Sequence, residues 1–261
     1  MKILKLTFAG PRMSWSYPSL EDLRPTGHFP SFSNMIGIFG AALGIERGDI
    51  DNLTKILNSF KYAVRLNNQI EPKIQTDFHT ASGFEGARAS NQQKKSWRIK
   101  NEYPGAFILN DSLYGWGEDG KDREIPKKFR KTDGSTMTNR QYILDASYTV
   151  LISENNGGYT LTDLAEALAN PIFPIYFGRK CCIPTIPLLD KDSFLESEDF
   201  LTAFNSVPIP KSIKEVKGPQ QSAIWGEDNK EAIRKIIVRD IPMFNRARGF
   251  HERTVYMKIQ N

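Results

Sequence analysis

The sequence contains few of the residues from which metal centres and disulfide scaffolds are built. It has 2 cysteines and 3 histidines among 261 residues, whereas a metal site needs several such ligands close together. The cysteines, Cys181 and Cys182, are adjacent, and adjacent cysteines rarely form a disulfide. We therefore expect two reduced thiols, which are typical of a cytoplasmic protein, and neither a metal ion nor another cofactor.

Long hydrophobic runs are also missing. The longest uninterrupted apolar stretch, residues 106–109, is much shorter than the about 20 residues that a membrane-spanning helix needs. Residues 1–5 lead directly into an alternating segment and lack the apolar core of a signal peptide. We expect a protein that is neither secreted nor bound to a membrane.

Positive charge is present but unevenly distributed along the chain. The formal net charge is +5, yet residues 86–131 contain 11 Lys/Arg against 6 Asp/Glu, and residues 230–261 contain 8 against 3. The remaining residues therefore carry a net negative charge. Such segregation favours a polyanionic partner, for example a nucleic acid. A lysine-rich solvated surface would give the same counts, so charge alone leaves both interpretations open.

Hydrophobic periodicity predicts a mixture of strands and helices. A turn signal at Gly10-Pro11 is expected to end the first strand, Ser31 or Ser33 can cap the first helix, and Gly44 can close it. Thr160 or Thr162 can cap the helix over 161–169. The glycines of that helix indicate either close packing against a sheet or an approach of its backbone to a ligand. The predicted elements are strand 3–8, helices 34–43 and 51–60, strands 62–66, 73–80 and 146–152, helix 161–169, and strands 172–177, 233–239 and 254–259.

Residues 81–138 show no sustained period and resemble an insertion, in the form of a long basic hairpin. Without it, the order of elements is strand, two helices, two strands, strand, helix, strand. This order predicts an α+β fold with a ferredoxin-like (RRM-type) sheet and its helices on one face. RNA-binding proteins use this topology, but so do many unrelated proteins, so the fold alone does not name a function.

Several motifs, in a fixed order, together resemble one family. They are Ala9-Gly10-Pro11, Trp15, residues 24–31, Leu43-Gly44-Ile45, Asp77-Phe78-His79-Thr80, residues 138–150, residues 176–184 and residues 238–242. Their order and spacing resemble the CasD subunits of type I-E CRISPR Cascade surveillance complexes, within the RAMP superfamily. The resemblance runs from the first residue to the C-terminus, with an interruption at 81–138 and a looser match over 190–230.

This resemblance implies a non-catalytic, CRISPR-associated RNA-binding subunit for antiviral defence. It would grip the 5′ handle of the crRNA and cap the backbone filament of Cascade. The implied domains are a ferredoxin-like palm over 1–80 and 139–189, an inserted basic thumb over 81–138, and an extension over 190–261 that returns strands to the palm. The implied partners are the crRNA, the backbone subunit, the large PAM-recognising subunit and, indirectly, target double-stranded DNA.

The family positions supply the groups that a single-stranded handle needs. Phosphates are bound by cationic side chains, hydroxyls and backbone N–H groups, whereas unstacked bases are bound by aromatic or guanidinium planes. The implied RNA-binding residues are Arg12, Met13, Trp15, Ser16, Arg24, Thr26, Ser31, Ser33, Arg140, Tyr142, Gly178, Arg179 and Lys180. Arg88, Lys94, Lys95 and Arg98 suit partner contacts by the thumb, although a solvated basic face would have the same composition.

Several of these residues have an alternative structural role. Trp15 can stack on a base or fill the core beside the first helix. Ser31 and Ser33 lie at a helix N-terminus, where they can bind phosphate, cap the helix, or do both. Residues 140–142 can hold the handle or support the thumb. Residues 178–180 resemble the glycine-rich loop of the RAMP superfamily, where glycine permits close approach and the cations supply charge.

The main rival function is a metal-independent endoribonuclease that processes pre-crRNA, as in type I-C systems. Cleavage through the 2′-OH needs no metal, and His79 would be its general base, with Tyr62, Tyr142 or Lys95 as helpers. A histidine at a strand end is more often structural, however, and the type I-E pattern implies processing by a separate subunit. A third class of function is a protein scaffold that makes no contact with nucleic acid. The acidic segment 190–200 could be a protein-docking face of such a scaffold, but the segregated positive charge argues against it.

Overall fold

The structure, a computed structural model, describes residues 1–16, 23–82, 107–109, 112–116, 122–124, 135–209, 221–228, 231–244 and 249–260. The helices are α1 (Phe32–Leu43), α2 (Ile50–Ser59), α3 (Leu161–Ala169) and α4 (Phe200–Ser206). The strands are β1 (Lys2–Met13), β2 (Trp15–Ser16), β3 (Leu23–Arg24), β4 (Thr26–Gly27), β5 (Phe60–Leu66), β6 (Lys73–Ser82), β7 (Phe107–Leu109), β8 (Ser112–Trp116), β9 (Asp122–Glu124), β10 (Ser135–Glu154), β11 (Phe194–Glu196), β12 (Ser222–Gly226), β13 (Arg234–Pro242) and β14 (Phe250–Gln260). In the part of the chain that is described, no helix has both the length and the apolar composition to cross a membrane.

The chain divides into two compact units. The first comprises Met1–Leu20, Arg24–Thr76 and Gln141–Asn261, and the second comprises Glu21–Leu23 and Asp77–Arg140. The chain leaves the first unit within β6 and returns to it within β10. In the second unit, β7, β8 and β9 form a three-stranded antiparallel sheet. Most of the thumb predicted over 81–138 lies outside the described residues.

The first unit is built on a mainly antiparallel sheet, which confirms the predicted α+β class. Its strand order is β11-β1-β10-β5-β12-β14-β13. The β1–β10 register runs from Ile3 opposite Ser153 to Met13 opposite Ile143, and β5 pairs with the other edge of β10. Strands β12, β14 and β13 then extend the sheet beyond β5, each antiparallel to its neighbour.

Alternation along β1 divides its side chains between two hydrophobic cores. Leu4, Leu6 and Phe8 belong to the larger core, to which α1, α2 and α3 contribute their buried faces. Ile3 belongs to the smaller core, in which Phe204 of α4 is also buried. All five side chains are 0% exposed. Burial of such a side chain stabilises the fold by about 1.5–3 kcal/mol, so the sheet is held from both of its faces.

The caps of α1 and α3 lie at the residues that the sequence predicts. Ser31 precedes α1, and its Oγ accepts a hydrogen bond of 3.2 Å from the backbone N–H of Asn34. Gly44 ends α1 in the left-handed conformation, with φ 73°. Thr160 precedes α3, and its Oγ1 accepts a hydrogen bond of 3.1 Å from the N–H of Asp163. The cap prediction is therefore confirmed, with Ser31 rather than Ser33 as the N-cap of α1.

The predicted end of the first strand at Gly10-Pro11 is wrong, because β1 continues to Met13. Proline has no N–H for the ladder and is tolerated in a strand only where none is needed. Gly10 is paired with Ala146 and Arg12 with Leu144, whereas Pro11 between them has no pairing partner in the ladder. Asp145, the residue between those partners, has φ 47°, so the partner strand is locally irregular beside Pro11.

The predicted strand over 172–177 is also wrong, because this segment is irregular. The N–H groups of Ile172 and Phe173 donate hydrogen bonds to the carbonyl oxygens of Ala42 and Ala41, at 3.1 and 3.0 Å. These carbonyls belong to the last turn of α1, which lacks i→i+4 donors for them, and the carbonyl of Ala41 also accepts a hydrogen bond of 3.3 Å from the N–H of Gly44. The apolar segment therefore satisfies a helix end instead of joining a sheet.

Candidate nucleic-acid interface

A set of four segments comes together in the first unit: residues 12–16, 24–27, 141–142 and 177–182. We call this set the interface cluster. The N–H of Ser14 donates to the carbonyl of Phe177 at 3.0 Å, which joins the end of β1 to the segment before Gly178. The carbonyl of Arg179 accepts from the N–H of Cys182 at 2.8 Å, which closes a tight turn. The geometry of this turn therefore determines where residues 179 and 180 lie.

Gly178 is required by the conformation of this turn. Its φ of 97° lies in the left-handed region, which side chains other than glycine rarely adopt. A Cβ at this position would also overlap the carbonyl oxygen of Ser14. The glycine thus allows the turn to lie directly against the end of β1 and brings Arg179 to the rest of the interface cluster.

The Arg179 side chain is held by two carbonyls and one ring. Its Nη1 donates to the carbonyl of Gln141 at 3.3 Å, and its Nη2 donates to the carbonyl of Arg24 at 3.4 Å. Its Cζ lies 4.7 Å from the centroid of the Tyr142 ring, and the Cζ of Arg12 lies 5.4 Å from the same centroid. Each such cation–π contact contributes about 0.5–2 kcal/mol, so Tyr142 fixes two guanidinium groups near each other.

Thr26 and Gln141 connect the remaining segments. The backbone of β2 pairs with that of β4, with Trp15 opposite Gly27 and Ser16 opposite Thr26. Thr26 Oγ1 accepts a hydrogen bond of 2.8 Å from the N–H of Trp15, and the N–H of Thr26 donates to Oε1 of Gln141 at 3.3 Å. These bonds hold the loop after β1 against β10.

The interface cluster contains four cationic side chains. Arg24 and Lys180 are exposed, and Arg12 and Arg179 are half-buried. Among the described residues, no carboxylate lies within ion-pair distance of Arg179 or Lys180. Their charges are therefore available to an anion that reaches this surface, and phosphate is, with carboxylate, the group whose geometry matches an arginine fork.

Comparison with known families gives a match over almost the whole chain. Residues 3–256 match the family described as "CRISPR-associated protein (Cas_Cas5)". The chain belongs to this Cas5 family. The match includes all four segments of the interface cluster as well as the two units.

The relatives of this Cas5 chain agree with the family match. It is 26% identical over 262 residues to "CRISPR system Cascade subunit CasD" of Escherichia coli (strain K12). The alignment covers 97% of this chain and 94% of that protein. The similarity to CasD that the sequence motifs indicate is therefore confirmed. A solved chain described as a CRISPR RNA-guided surveillance complex shares the fold with a TM-score of 0.60 at 23% identity, covering 99% of this chain and 89% of that one. A solved Cas protein gives a TM-score of 0.56 at 19% identity, covering 99% and 93%.

Three side chains proposed for RNA contact are buried in the Cas5 chain. Met13 and Trp15 are 0% exposed, and Tyr142 is 1% exposed. The Trp15 ring packs with those of Phe177 and Tyr148, at centroid distances of 5.7 and 5.9 Å. In this structure Trp15 therefore fills the core, which is the structural alternative. None of the three side chains has a free face on which a base could stack.

The N-terminus of α1 is occupied by the chain itself. The N–H of Phe32 donates to Oδ2 of Asp240 at 2.9 Å, and Ser31 is 8% exposed and caps the helix. A carboxylate thus occupies the position at which a phosphate would be bound, so the capping role is the one that this structure supports for Ser31. Ser33 is half-buried and lines a cleft along α1 that is also lined by Gly178 of the interface cluster.

The remaining predicted residues lie outside the cluster or have no described side chain. Arg140 belongs to the second unit, where its Nε donates to Oγ1 of Thr138 at 3.2 Å. Only the backbone of Ser16 is described. The thumb residues Arg88, Lys94, Lys95 and Arg98 lie outside the described residues. The cluster therefore brings together Arg12, Arg24, Thr26, Tyr142 and residues 178–180 of the predicted set.

The residues of the nuclease alternative are distributed over both units and the part of the chain that is not described. His79 lies in the second unit, with Nε2 3.3 Å from Oδ2 of Asp77. Tyr62 lies in the first unit, where burial raises the pKa of its hydroxyl, which donates to the carbonyl of Pro30 at 2.9 Å. Lys95 lies outside the described residues. Within those residues, no group of three or more His, Cys, Asp or Glu side chains is placed to hold a metal ion.

Sequence reasoning named Gln141 only together with its neighbours, as a residue that can hold the handle or support the thumb, and it missed Cys181. Gln141 supplies both the carbonyl that holds Arg179 and the side-chain oxygen that holds Thr26. The exposed thiol of Cys181 lies 3.9 Å from the hydroxyl oxygen of Tyr142, so it belongs to the same cluster. Its position directly after Arg179-Lys180 is the only signal in the sequence that could have indicated it.

Proposed function

We propose that this Cas5 chain is the crRNA-binding subunit of a type I-E Cascade surveillance complex, with the interface cluster gripping the 5′ handle of the crRNA. The observation that carries the proposal is the Arg179 guanidinium, held on Tyr142 beside Arg12 without a described carboxylate partner. Similarity to CasD over nearly the full length of both proteins supports the assignment to Cascade.

The charge of the interface cluster suits a single-stranded handle. Its cations come from separate segments, at Arg12, Arg24 and residues 179–180, and Thr26 adds a hydroxyl that is already engaged in the scaffold. Such a set binds a polyphosphate chain at several points, because each cation releases counterions from one phosphate. The proposed role at this surface is binding, and the chemistry of the cluster requires no cofactor.

The proposed palm is ferredoxin-like. The strand order β11-β1-β10-β5 is the order four-one-three-two of the split βαβ arrangement, with β1 first, β5 second, β10 third and β11 fourth. Helix α1 follows the first strand and α3 follows the third, which further supports the assignment. The proposed thumb over 81–138 would contact the neighbouring backbone subunit, and the large PAM-recognising subunit would dock beside the palm at the end of the filament.

The role proposed here is non-catalytic, and similarity to a Cascade subunit supports it over pre-crRNA cleavage. Tyr62, one of the candidate helpers, donates to a backbone carbonyl and accepts a 2.8 Å hydrogen bond from Nη2 of Arg253. A buried hydroxyl with a raised pKa is a poor participant in proton transfer near neutral pH.

The experiment is co-purification of the full chain with the other Cascade subunits and a crRNA. In the variant Arg179→Ala/Lys180→Ala, two phosphate contacts are lost, and we expect the crRNA content to fall at least about tenfold under competitive wash. The matched control is Lys55→Ala/Lys61→Ala, which removes the same charge from exposed positions. Lys61 pairs with Ser153, which is on the order of 30 Å along β10 from Tyr142.

The control variant should retain its crRNA. Equal crRNA content in both double variants would contradict the assignment of the handle to this surface. A wild-type chain that enters no complex and carries no RNA would contradict the proposed function as a whole.

A further inference from the structure

Two thiols lie side by side next to the cations of the 178–180 turn. Cys181 is exposed, Cys182 is 0% exposed, and their Sγ atoms are 4.0 Å apart. They directly follow Arg179 and Lys180 in the chain. Cysteines that undergo reversible oxidation typically combine an accessible thiol with a second thiol within its reach. This pair has that arrangement.

The surroundings of the two thiols give each a different part in such a reaction. An oxidant in solution reaches Cys181, whereas the packing around Cys182 excludes it. Burial, and after it the neighbouring Cys181, raise the pKa of the Cys182 thiol to about 11, so this thiol stays protonated near neutral pH. Cys181 is therefore the thiol that reacts with an oxidant first, and Cys182 is the thiol that reacts with the product.

A bond between these two sulfurs strains the backbone. They would have to approach from 4.0 Å to about 2.05 Å. The Cα atoms of neighbouring residues are about 3.8 Å apart, whereas those of disulfide-bonded cysteines are usually about 4.4–6.8 Å apart. The bond therefore forms only if the peptide between the two residues rotates. Strained disulfides are easily reduced, so such a bond would form on oxidation and open again under reducing conditions.

The peptide between Cys181 and Cys182 also holds the turn closed. Its N–H, which belongs to Cys182, donates to the carbonyl of Arg179 at 2.8 Å, and the carbonyl of Cys182 accepts from the N–H of Phe177 at 2.8 Å. Rotation of the peptide turns its N–H away from the Arg179 carbonyl. The Arg179 guanidinium, 4.7 Å from the centroid of the Tyr142 ring, then loses the turn that places it there.

We propose that Cys181 and Cys182 form a reversible oxidation site that controls the position of Arg179. Hydrogen peroxide oxidises the Cys181 thiol to a sulfenic acid and releases one water. The Cys182 sulfur then attacks the Cys181 sulfur, the hydroxyl group leaves with the Cys182 proton as a second water, and the disulfide forms. Two thiols are thus oxidised while one peroxide is reduced to two waters. The effect on RNA binding rests on the proposed function, whereas the oxidation does not.

The oxidation is tested on the purified, reduced full chain with small additions of hydrogen peroxide. The chain has 2 cysteines, so an intramolecular disulfide can join no other pair. Trypsin releases residues 181–191, which contain both cysteines and no methionine, so methionine oxidation elsewhere does not affect the mass of this peptide. We expect the peptide to lose two hydrogen atoms and to regain them with dithiothreitol. In Cys182→Ala it should instead gain one oxygen as a sulfenic acid, which dimedone traps.

The control of binding is tested by fluorescence anisotropy with a labelled repeat RNA, for each chain before and after peroxide. Oxidation should weaken binding by the wild-type chain about tenfold, as expected for the loss of one charged hydrogen-bonded contact, and dithiothreitol should restore it. Reduced Arg179→Ala measures the loss when that contact is missing altogether. The affinity of Cys181→Ser should not respond to peroxide, because this variant lacks the accessible thiol.

Four results would overturn all or part of the proposal. If residues 181–191 of the folded wild-type chain gain oxygen and never lose two hydrogens, the thiols do not form the bond. If the bond forms and the affinity is unchanged although Arg179→Ala lowers it, oxidation does not control the turn. If Cys181→Ser loses affinity under peroxide as the wild-type chain does, another group is responsible. If the reduced wild-type chain binds no repeat RNA, the proposed function and the control of binding both fail, while the peptide masses still decide whether the oxidation site exists.

Discussion

A buried ion pair in the C-terminal hairpin allows a quantitative test of the fold. Arg253 binds Asp240 through two hydrogen bonds of 2.8 Å, from Nε to Oδ1 and from Nη2 to Oδ2, and both side chains are 8% exposed. Oδ2 of Asp240 also accepts the N–H of Phe32 at the start of α1. Asp240→Ala therefore leaves a buried guanidinium without its carboxylate and removes an acceptor from a helix end.

The expected loss in the free energy of unfolding is about 4 kcal/mol. Removing one partner of a buried pair costs about 3–5 kcal/mol when the remaining charge is uncompensated. Oε1 of Glu227 remains 3.9 Å from Nη1 of Arg253, but this side chain is 49% exposed, so we expect the loss of the pair itself to lie towards the lower end of that range. The lost helix contact contributes about 0.5–1.5 kcal/mol of this effect. Since domains of this size are stable by about 5–15 kcal/mol, the variant should unfold at a much lower urea concentration, which equilibrium denaturation followed by circular dichroism measures.

The same hairpin supplies a matched control. Arg239 and Glu252 form a second ion pair between β13 and β14, with a 2.6 Å separation of Nε and Oε1 and side chains that are 70% and 50% exposed. Because exposed pairs contribute little, Glu252→Ala should change the free energy of unfolding by less than about 1 kcal/mol. Equal losses in Glu252→Ala and Asp240→Ala would refute the reasoning from burial.

A double variant separates the ion pair from the local packing. Replacement of both partners by apolar residues leaves no buried charge and often restores stability. Asp240→Leu/Arg253→Met should therefore be more stable than Asp240→Ala alone. The cycle compares the losses in free energy of unfolding of Asp240→Ala, of Arg253→Met and of the variant that carries both changes. If the loss in the double variant equals the sum of the two single losses, the two side chains are not coupled.

Three further predictions concern other parts of the chain. Gly37→Ala should raise the free energy of unfolding by about 0.5–1 kcal/mol in urea titrations, because a Cβ at this exposed helical position meets nothing within 4 Å; a lower stability would contradict it. Burial, followed by the neighbouring Cys181, raises the pKa of the Cys182 thiol to about 11. The unfolded chain then loses this proton at a lower pH than the folded chain, so stability should fall as pH rises from about 9 to about 11, and Cys182→Ala should reduce that slope, to which the buried hydroxyls of Tyr62 and Tyr148 add in the upper part of the range because burial raises their pKa values too. His79→Ala should leave repeat RNA as intact as the wild-type chain does in metal-free incubation, whereas site-specific cleavage that this variant abolishes would establish the nuclease alternative.

The elements of the fold that depend on local signals were predictable from the sequence. Helices α1 and α3 carry their own start and stop residues, and their cap predictions are correct at Ser31, Gly44 and Thr160. The irregular run over 172–177 was not predictable, because its apolar residues satisfy the end of α1, a partner that lies far away in the sequence. In the sequence alone, Pro11 likewise indicates a turn. Its place inside β1 follows only from the structure, in which it lies opposite an irregular residue of β10.

The interface cluster was predictable in its cations but not in its aromatic residues. Residues 178–180 combine a turn glycine with two charges, and this signal is local. Whether Trp15 and Tyr142 face solvent depends on packing partners such as Tyr148, more than a hundred residues away from Trp15. The Arg253–Asp240 pair could not be found from sequence for the same reason, since it is only one of many charged pairs that a basic hairpin offers.

The hydrogen bond between Phe32 and Asp240 has a consequence for synthesis of the chain. Its partners are 208 residues apart. At about 5–20 residues per second, a ribosome makes Asp240 on the order of ten to forty seconds after Phe32. During that interval the first turn of α1 has no carboxylate, and the buried site of Arg253 does not yet exist. The first helix of the nascent chain therefore gains this hydrogen bond only after β13 has been made, and the buried site of Arg253 is complete only after β14.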